Sequence, residues 1–214
     1  MFSKWTLNFP NHLEGWTVHY PGRGSRTGER PITKMADLIE QLCQAIQPYL
    51  NKPSIFFGYS MGGLVAFELT RALRRKQLAQ PNILFVSACA APQAPDSHSK
   101  IHQLSDAEFI NELKKLNGIP PEILQNKEML QLLLPTLRAD FEIIEIYQYQ
   151  IDTPLDCPIV AFGGRDDSRV SRERLEGWAN QTASQFESHY FVGDHFFIHA
   201  ARDEVMNFMI EKLG

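Results

Sequence analysis

Residues Pro53 to Leu69 read PSIFFGYSMGGLVAFEL, with Ser60 between the glycines of Gly58-Tyr59-Ser60-Met61-Gly62. Ile55-Phe56-Phe57 is a short, continuously apolar run, as a buried strand requires. After Gly63, Val65, Leu69, Ala72 and Leu73 recur at helical spacing, with Glu68, Arg71, Arg74 and Arg75 on the other side. Ser60 therefore sits where a strand turns abruptly into a helix. It is either a nucleophile held on a tight turn or a small polar residue at a bend. Other β-rich runs occur at Trp16 to Tyr20, Ile83 to Val86, Ile159 to Phe162 and His189 to Val192. Helical patterns such as Met35, Ile39, Leu42 and Ile46 lie between them. Several of the strands are apolar throughout rather than alternating, which predicts a mostly parallel sheet covered by helices on both faces, an α/β fold.

From about residue 98 to residue 150 this rhythm stops, and the pattern is helical without a strand, punctuated by Gly118, Pro120, Pro121 and Pro135. So long an excursion between two strands is expected to be a lid subdomain. Ser105, with Glu108 three residues on, has the spacing of a capping box at its first helix. Leu116, Ile119, Leu130, Leu133 and Leu134 are candidates to line a pocket beneath the lid, against the plainer reading that they form its own core. Residues 1–214 are read as one domain, since 214 residues with 43% hydrophobic content support a single substantial core.

A net charge of −4 without a basic stripe gives no source for the phosphate attraction that drives nucleic-acid binding. Cys43, Cys89 and Cys157 are scattered and odd in number, and none has metal-ligand spacing, so reduced core thiols and no metal are expected. The opening MFSKWTLNFPNH lacks an apolar signal core, and no apolar run approaches the roughly 20 residues needed to cross a bilayer. A cytoplasmic monomer without membrane attachment is the expectation. The stretch PGRGSRTGER lacks the lysine of a phosphate loop and has Thr27 where a dinucleotide fingerprint needs glycine, which argues against a nucleotide site.

If Ser60 is a nucleophile, its hydroxyl needs a base, and the base an orienting carboxylate, each placed after a strand end. A strand, a glycine-flanked serine and a helix form the nucleophile elbow of an α/β-hydrolase fold, in which acid and then histidine follow the serine along the chain. CPIVAFGGRDDSRV ends a strand and offers Asp166 and Asp167; HYFVGDHFFIHA ends another and offers His195, with His199 one helical turn later. Asp167 and His195 are the preferred pair, with Asp166 the close rival. Met61, the residue after the serine, is the expected oxyanion donor through its N–H.

Five blocks in order, HYPGRGSR, FFGYSMGGLVAFEL, LPTLRADFE, PLDCPIVAFGGRDDSRVS and FVGDHFFI, give the chain a resemblance to the external, or type II, thioesterases that accompany nonribosomal peptide and polyketide synthases. The resemblance spans essentially the whole chain. It implies hydrolysis, without a cofactor, of acyl groups from the phosphopantetheine arm of carrier domains, an editing role that frees misloaded synthases. It implies an acid at the position of Asp167 and a base at that of His195. Arg23 and Arg26 could then meet the phosphate of the carrier arm, or could simply belong to a solvated turn. Tyr59 stands where the family usually has histidine; as a spacer beside the nucleophile it is expected to border the substrate and to affect the chemistry little. Family members begin with a strand and a glycine-containing loop, upstream of the segment matching Met1 to Trp5, whose backbone adds a second oxyanion donor. The given chain does not include that segment, so either a shortened form with impaired catalysis or a start further upstream is expected. Two rival functions share the same residues: a carboxylesterase or lipase-like hydrolase of free esters, and a protein that binds acyl carriers without turnover.

Overall fold

The computed structural model describes residues 2, 5, 9–94, 99–116, 118, 119 and 121–213. Met1, Pro120 and the start of the helical excursion at residue 98 lie outside them. Among the described residues, four strands form one wholly parallel sheet in the order β1-β2-β3-β4. They are β1 (Ile55–Tyr59), β2 (Ile83–Ser87), β3 (Ile159–Gly164) and β4 (Phe186–Phe191). The α-helices among the same residues are α1 (Met35–Ile46), α2 (Met61–Arg75), α3 (Asp106–Lys115), α4 (Pro121–Gln125), α5 (Lys127–Ile146), α6 (Arg172–Glu176) and α7 (Arg202–Glu211).

Alternation along the central strands divides the core into two layers. Leu84, Val86, Ile159 and Ala161 face Leu64 and Phe67 of α2, together with Leu175 and Trp178. Phe85, Val160 and Phe162 face the opposite way, toward Val205, Met206 and Met209 of α7 and toward Trp5. Phe85 and Phe162 are fully buried and stack at 5.7 Å, each contributing on the order of 1.5–3 kcal/mol through burial. Helix α1 packs its Leu38, Ile39, Leu42 and Cys43 on Val65, Leu69, Ala72 and Leu73 of α2. The sheet is thus covered on both faces, as its continuously apolar strands require. The register sets Tyr59 beside Ser87, and Phe162 beside both Ser87 and His189, so the carboxyl ends of the strands lie at one end of the sheet. Loops leaving that end carry the candidate residues, the usual place for a site in an open parallel sheet.

One expectation is corrected. Trp16 to Tyr20 is not a strand: Trp16 and Val18 are exposed, and the segment joins no described ladder. β-rich composition gives a strand only when a neighbour accepts its backbone hydrogen bonds. Glu68 and Arg71, on the polar side of α2, are themselves buried, 9% and 3% exposed. The chain returning from the helical excursion crosses that side. Arg71 binds Glu68 Oε1 at 2.7 Å and the Gln150 carbonyl at 2.6 Å, and Tyr147 donates to Glu68 at 2.6 Å. Arg74 donates to the Thr153 and Pro154 carbonyls near Asp152, a tether beyond its favourable place at the helix C-terminus.

Between β2 and β3 the chain forms α3, α4 and α5 with a core of their own, Ile101, Phe109, Leu113, Ile119, Leu130 and Leu134. Both halves of the Ser105–Glu108 capping box are made. Pro135 does not interrupt α5, which runs through it at the loss of one ladder hydrogen bond. Next to it, Thr136 donates from its hydroxyl to the Gly22 carbonyl at 2.7 Å, anchoring the helix to the loop after Tyr20.

Candidate active site

Ser60 links β1 directly to α2 and has φ +52° and ψ −122°, a strained conformation for a side chain other than glycine. The turn is held by the Ser60 N–H donating to the Ser87 carbonyl at 2.7 Å and by the Gly63 N–H donating to the Ser60 carbonyl at 2.9 Å. A Cβ at Gly58 would lie 2.0 Å from the Gly62 carbonyl oxygen, so only glycine fits there. At Gly62 a Cβ would meet nothing within 4 Å, whereas at Gly63 it would come within 2.8 Å of Cys89. The clearance at the turn therefore comes from Gly58 and Gly63, not from Gly62. Met61 is the first residue of α2, which puts its amide at the positive end of the helix.

The loop after β3 carries Asp166 and Asp167, and their environments differ. Asp166 is exposed. The Asp167 side chain is 1% exposed; its Oδ1 accepts the Arg169 and Val170 N–H groups at 2.8 and 3.1 Å. Its Oδ2 lies 2.9 Å from Nδ1 of His195. Burial alone would raise the Asp167 pKa. The hydrogen bond and charge of His195, with the two backbone amides, outweigh burial and hold the carboxyl below its ordinary value.

His195 lies on the loop after β4, beyond Gly193 with φ +123°. Its Nε2 is 3.2 Å from Ser60 Oγ. An ionised carboxylate can only accept, so the bond to Asp167 fixes the proton on Nδ1 and leaves Nε2 free to accept from the serine. Three side chains from residues 60, 167 and 195 thus form a continuous Ser–His–Asp relay. His199 is exposed and stacks on Phe196 at 6.3 Å, with no hydrogen bond to Ser60.

The two candidate arginines are held elsewhere. Arg23 pairs with Asp140 of α5 at 2.5 Å and lies 5.1 Å over the ring of Tyr20. Arg26 is paired with Glu29 at 2.6 Å and donates to the His19 carbonyl. Neither arginine hydrogen bonds to the relay. The Tyr59 hydroxyl donates to the His195 carbonyl at 2.6 Å. Ile119, Leu130 and Leu134 are buried in the excursion's own core, with Leu116 packed against it and Leu133 half-buried. A cleft of about 700 Å³ between Gln93, Tyr149 and Gln181 contains none of the relay residues.

Two features had no signal in the sequence. Glu145 accepts the N–H groups of Ile101 and His102 and pairs with the His102 ring, closing the two ends of the excursion on each other. Phe196, next to His195, reaches the excursion: a Cβ at Gly118 would lie 2.8 Å from its ring. Both join residues far apart in the chain, and only a known fold could have paired them. Among the described residues, no group of three His, Cys, Asp or Glu is arranged to hold a metal, and no helix is long and apolar enough to cross a membrane.

Residues 1–213 match the family model of the thioesterase domain. The chain is 43% identical over 212 residues to the gramicidin S biosynthesis protein GrsT of Aneurinibacillus migulanus, covering 99% of this chain and 83% of that one. Among solved structures, it resembles the type II thioesterase BorB from the borrelidin biosynthetic cluster, with a TM-score of 0.84 and 33% identity over 92% of this chain and 80% of that one. ClbQ from the colibactin NRPS/PKS pathway superposes with a TM-score of 0.93 at 28% identity, over 99% of this chain and 90% of that one. The chain belongs to the thioesterase family, among its type II members with the α/β-hydrolase fold.

Proposed function

We propose that the protein uses Ser60, His195 and Asp167 to hydrolyse acyl thioesters carried on the phosphopantetheine arm of synthase carrier domains. The observation that carries this reading is the relay itself, Ser60 Oγ to His195 Nε2 at 3.2 Å and Nδ1 to Asp167 at 2.9 Å, mounted on a strained elbow. His195 takes the Ser60 proton as Oγ attacks the thioester carbonyl. The Met61 N–H, at the head of α2, stabilises the oxyanion. Collapse of the intermediate breaks the C–S bond, and the leaving thiolate takes the proton from Nε2. Water, deprotonated by His195, then attacks the acyl-serine, releasing the carboxylic acid and restoring Ser60. Asp167 stays ionised throughout and stabilises the imidazolium. Every step uses groups of the chain and water.

The carrier-bound substrate is inferred from relatives named for gramicidin S, borrelidin and colibactin biosynthesis. In this reading the excursion from α3 to α5 acts as the lid. Its contacts with the site's loops, Thr136 to Gly22, Asp140 to Arg23 and Gly118 to Phe196, support that role. The test compares acyl groups presented on a carrier domain, on a small thiol and as matched oxygen esters. The proposal predicts the highest kcat/KM for the carrier-bound thioester; equal or faster turnover of the oxygen ester would make the protein an esterase instead. Charge reversal at both Arg23 and Arg26 separates carrier docking from a plain turn. A loss confined to carrier-bound substrate supports docking, and equal losses on carrier-bound and small thioesters remove it.

A further inference from the structure

The base rides on an irregular stretch between β4 and α7 in which Val192 is 71% exposed, Gly193 has positive φ and Asp194 is exposed. Such a stretch does not hold an imidazole in one place unaided. The backbone is pinned on either side of the base. The Asp166 N–H donates to the Gly193 carbonyl at 3.0 Å, and the Phe197 N–H donates to the Asp194 carbonyl at 3.0 Å. At His195 itself the carbonyl accepts from a side chain, the phenol of Tyr59, at 2.6 Å. The two rings also face each other at 5.7 Å with an interplanar angle of 49°.

Tyr59 is the last residue of β1 and the residue before Ser60. One end of this bond is therefore covalently adjacent to the nucleophile and the other is the backbone of the base. We propose that Tyr59 is a positioning residue, whose hydroxyl ties the His195 main chain to the end of β1 and thereby sets the distance from Nε2 to Ser60. The inference rests on the Ser60–His195–Asp167 reading of the site and assigns Tyr59 a role other than the substrate contact its position first suggested.

The phenol suits this task. Tyr59 is half-buried, and Phe2 packs beside its ring at 6.3 Å. Burial, and then the nearby Asp167 and Asp194 carboxylates, raise its pKa well above the ordinary tyrosine value. It therefore stays protonated, a constant donor, across any pH at which the base works. Phenylalanine would preserve the ring and its packing while leaving the His195 carbonyl without its donor, a net loss of about one hydrogen bond. Displacements of about 1 Å at a reacting centre can cost on the order of 100-fold in rate.

The test is Tyr59→Phe beside wild type and Ser60→Ala, assayed on a small acyl thioester too short to reach distant parts of the protein. Active sites are titrated with a fluorophosphonate so that kcat is counted per competent, folded site. The expected result for Tyr59→Phe is a fall of about 10-fold in kcat, with KM changed by less than about twofold and a slower first-order reaction of Ser60 with the probe. Wild-type kcat per titrated site in Tyr59→Phe, with Ser60→Ala inactive, overturns the positioning role and leaves the triad reading standing. A raised KM at unchanged kcat also overturns it, making Tyr59 a substrate contact. Retained hydrolysis by Ser60→Ala overturns both readings together.

Discussion

At the scale of single residues, the site depends on two kinds of constraint, space at the elbow and charge at the acid. The space available at Gly58 and Gly62 differs sharply although the two glycines look equivalent in the sequence. A methyl group at Gly58 would run into the Gly62 carbonyl at 2.0 Å, and main chain cannot move aside cheaply. Gly58→Ala is expected to lower the thermal midpoint by several degrees or prevent folding, on the order of 2 kcal/mol or more. Gly62→Ala meets nothing within 4 Å and gains helix propensity in the first turn of α2, so its midpoint should equal or exceed that of the wild type. Thermal unfolding of the two variants checks the asymmetry. Charge at Asp167 has its own signature. Its pKa is depressed in the folded protein, so its stabilising contribution is complete above the unfolded value near 4 and disappears as pH falls through the folded value. In Asp167→Asn the stability deficit measured by urea unfolding should be full at pH 7 and shrink below about pH 4. The same variant should lose about 10³- to 10⁴-fold in kcat, because asparagine cannot support the imidazolium. A deficit of equal size at pH 7 and pH 3.5 would contradict the charge argument.

At the scale of elements, α2 was the more instructive half of the elbow. Its apolar stripe was legible from the spacing of Val65, Leu69, Ala72 and Leu73, which pack as expected against α1. What covers its polar side was not legible, because periodicity reports which face is apolar and not what lies against the other. Glu68 and Arg71 are buried under the segment from Tyr147 to Asp152, some 80 residues away in the chain, and nothing local to α2 announces that partner. Arg71 is 3% exposed, so truncating it strands the Glu68 carboxylate in the interior. Arg71→Ala is expected to destabilise the protein by about 3–5 kcal/mol. A double Glu68→Gln, Arg71→Met variant should recover part of that loss, because it leaves no buried charge unpaired. Chemical denaturation of the single and double variants measures both. A single variant within 1 kcal/mol of wild type would show that the pair contributes little to the attachment of α2. The unpaired fate of Trp16 to Tyr20 teaches the same lesson for strands: composition supplied the tendency, and a ladder partner decides the outcome.

At the scale of the whole molecule, the parallel sheet converts distance in sequence into proximity at one end. Residues 60, 167 and 195 follow three different strands, and the strands' shared direction delivers all three to the same edge. The α/β pattern and the order serine, acid, histidine were readable because continuous apolar runs and strand-ending glycines are local signals. Which of Asp166 and Asp167 turns inward was not readable, since it depends on the Arg169 and Val170 amides that capture one carboxylate. Compactness also makes a global prediction about the three cysteines. Cys43, Cys89 and Cys157 are 2%, 8% and 8% exposed, and burial pushes the thiols of Cys89 and Cys157 up to about 12 and about 11. Reaction needs the exposed thiolate. Iodoacetamide at pH 8 should therefore leave the native protein unlabelled over times that alkylate all three cysteines in denaturant. Rapid native labelling, read by intact mass, would show that the core opens far more readily than this packing allows.

The account as a whole turns on whether Ser60 is an activated nucleophile, and the mass of the protein after treatment with a fluorophosphonate tests that most directly. The prediction is a single adduct, mapped to Ser60, that is absent in Ser60→Ala and forms at least about 100-fold more slowly in His195→Ala. An unmodified wild-type protein, or an adduct on any other residue, would contradict it.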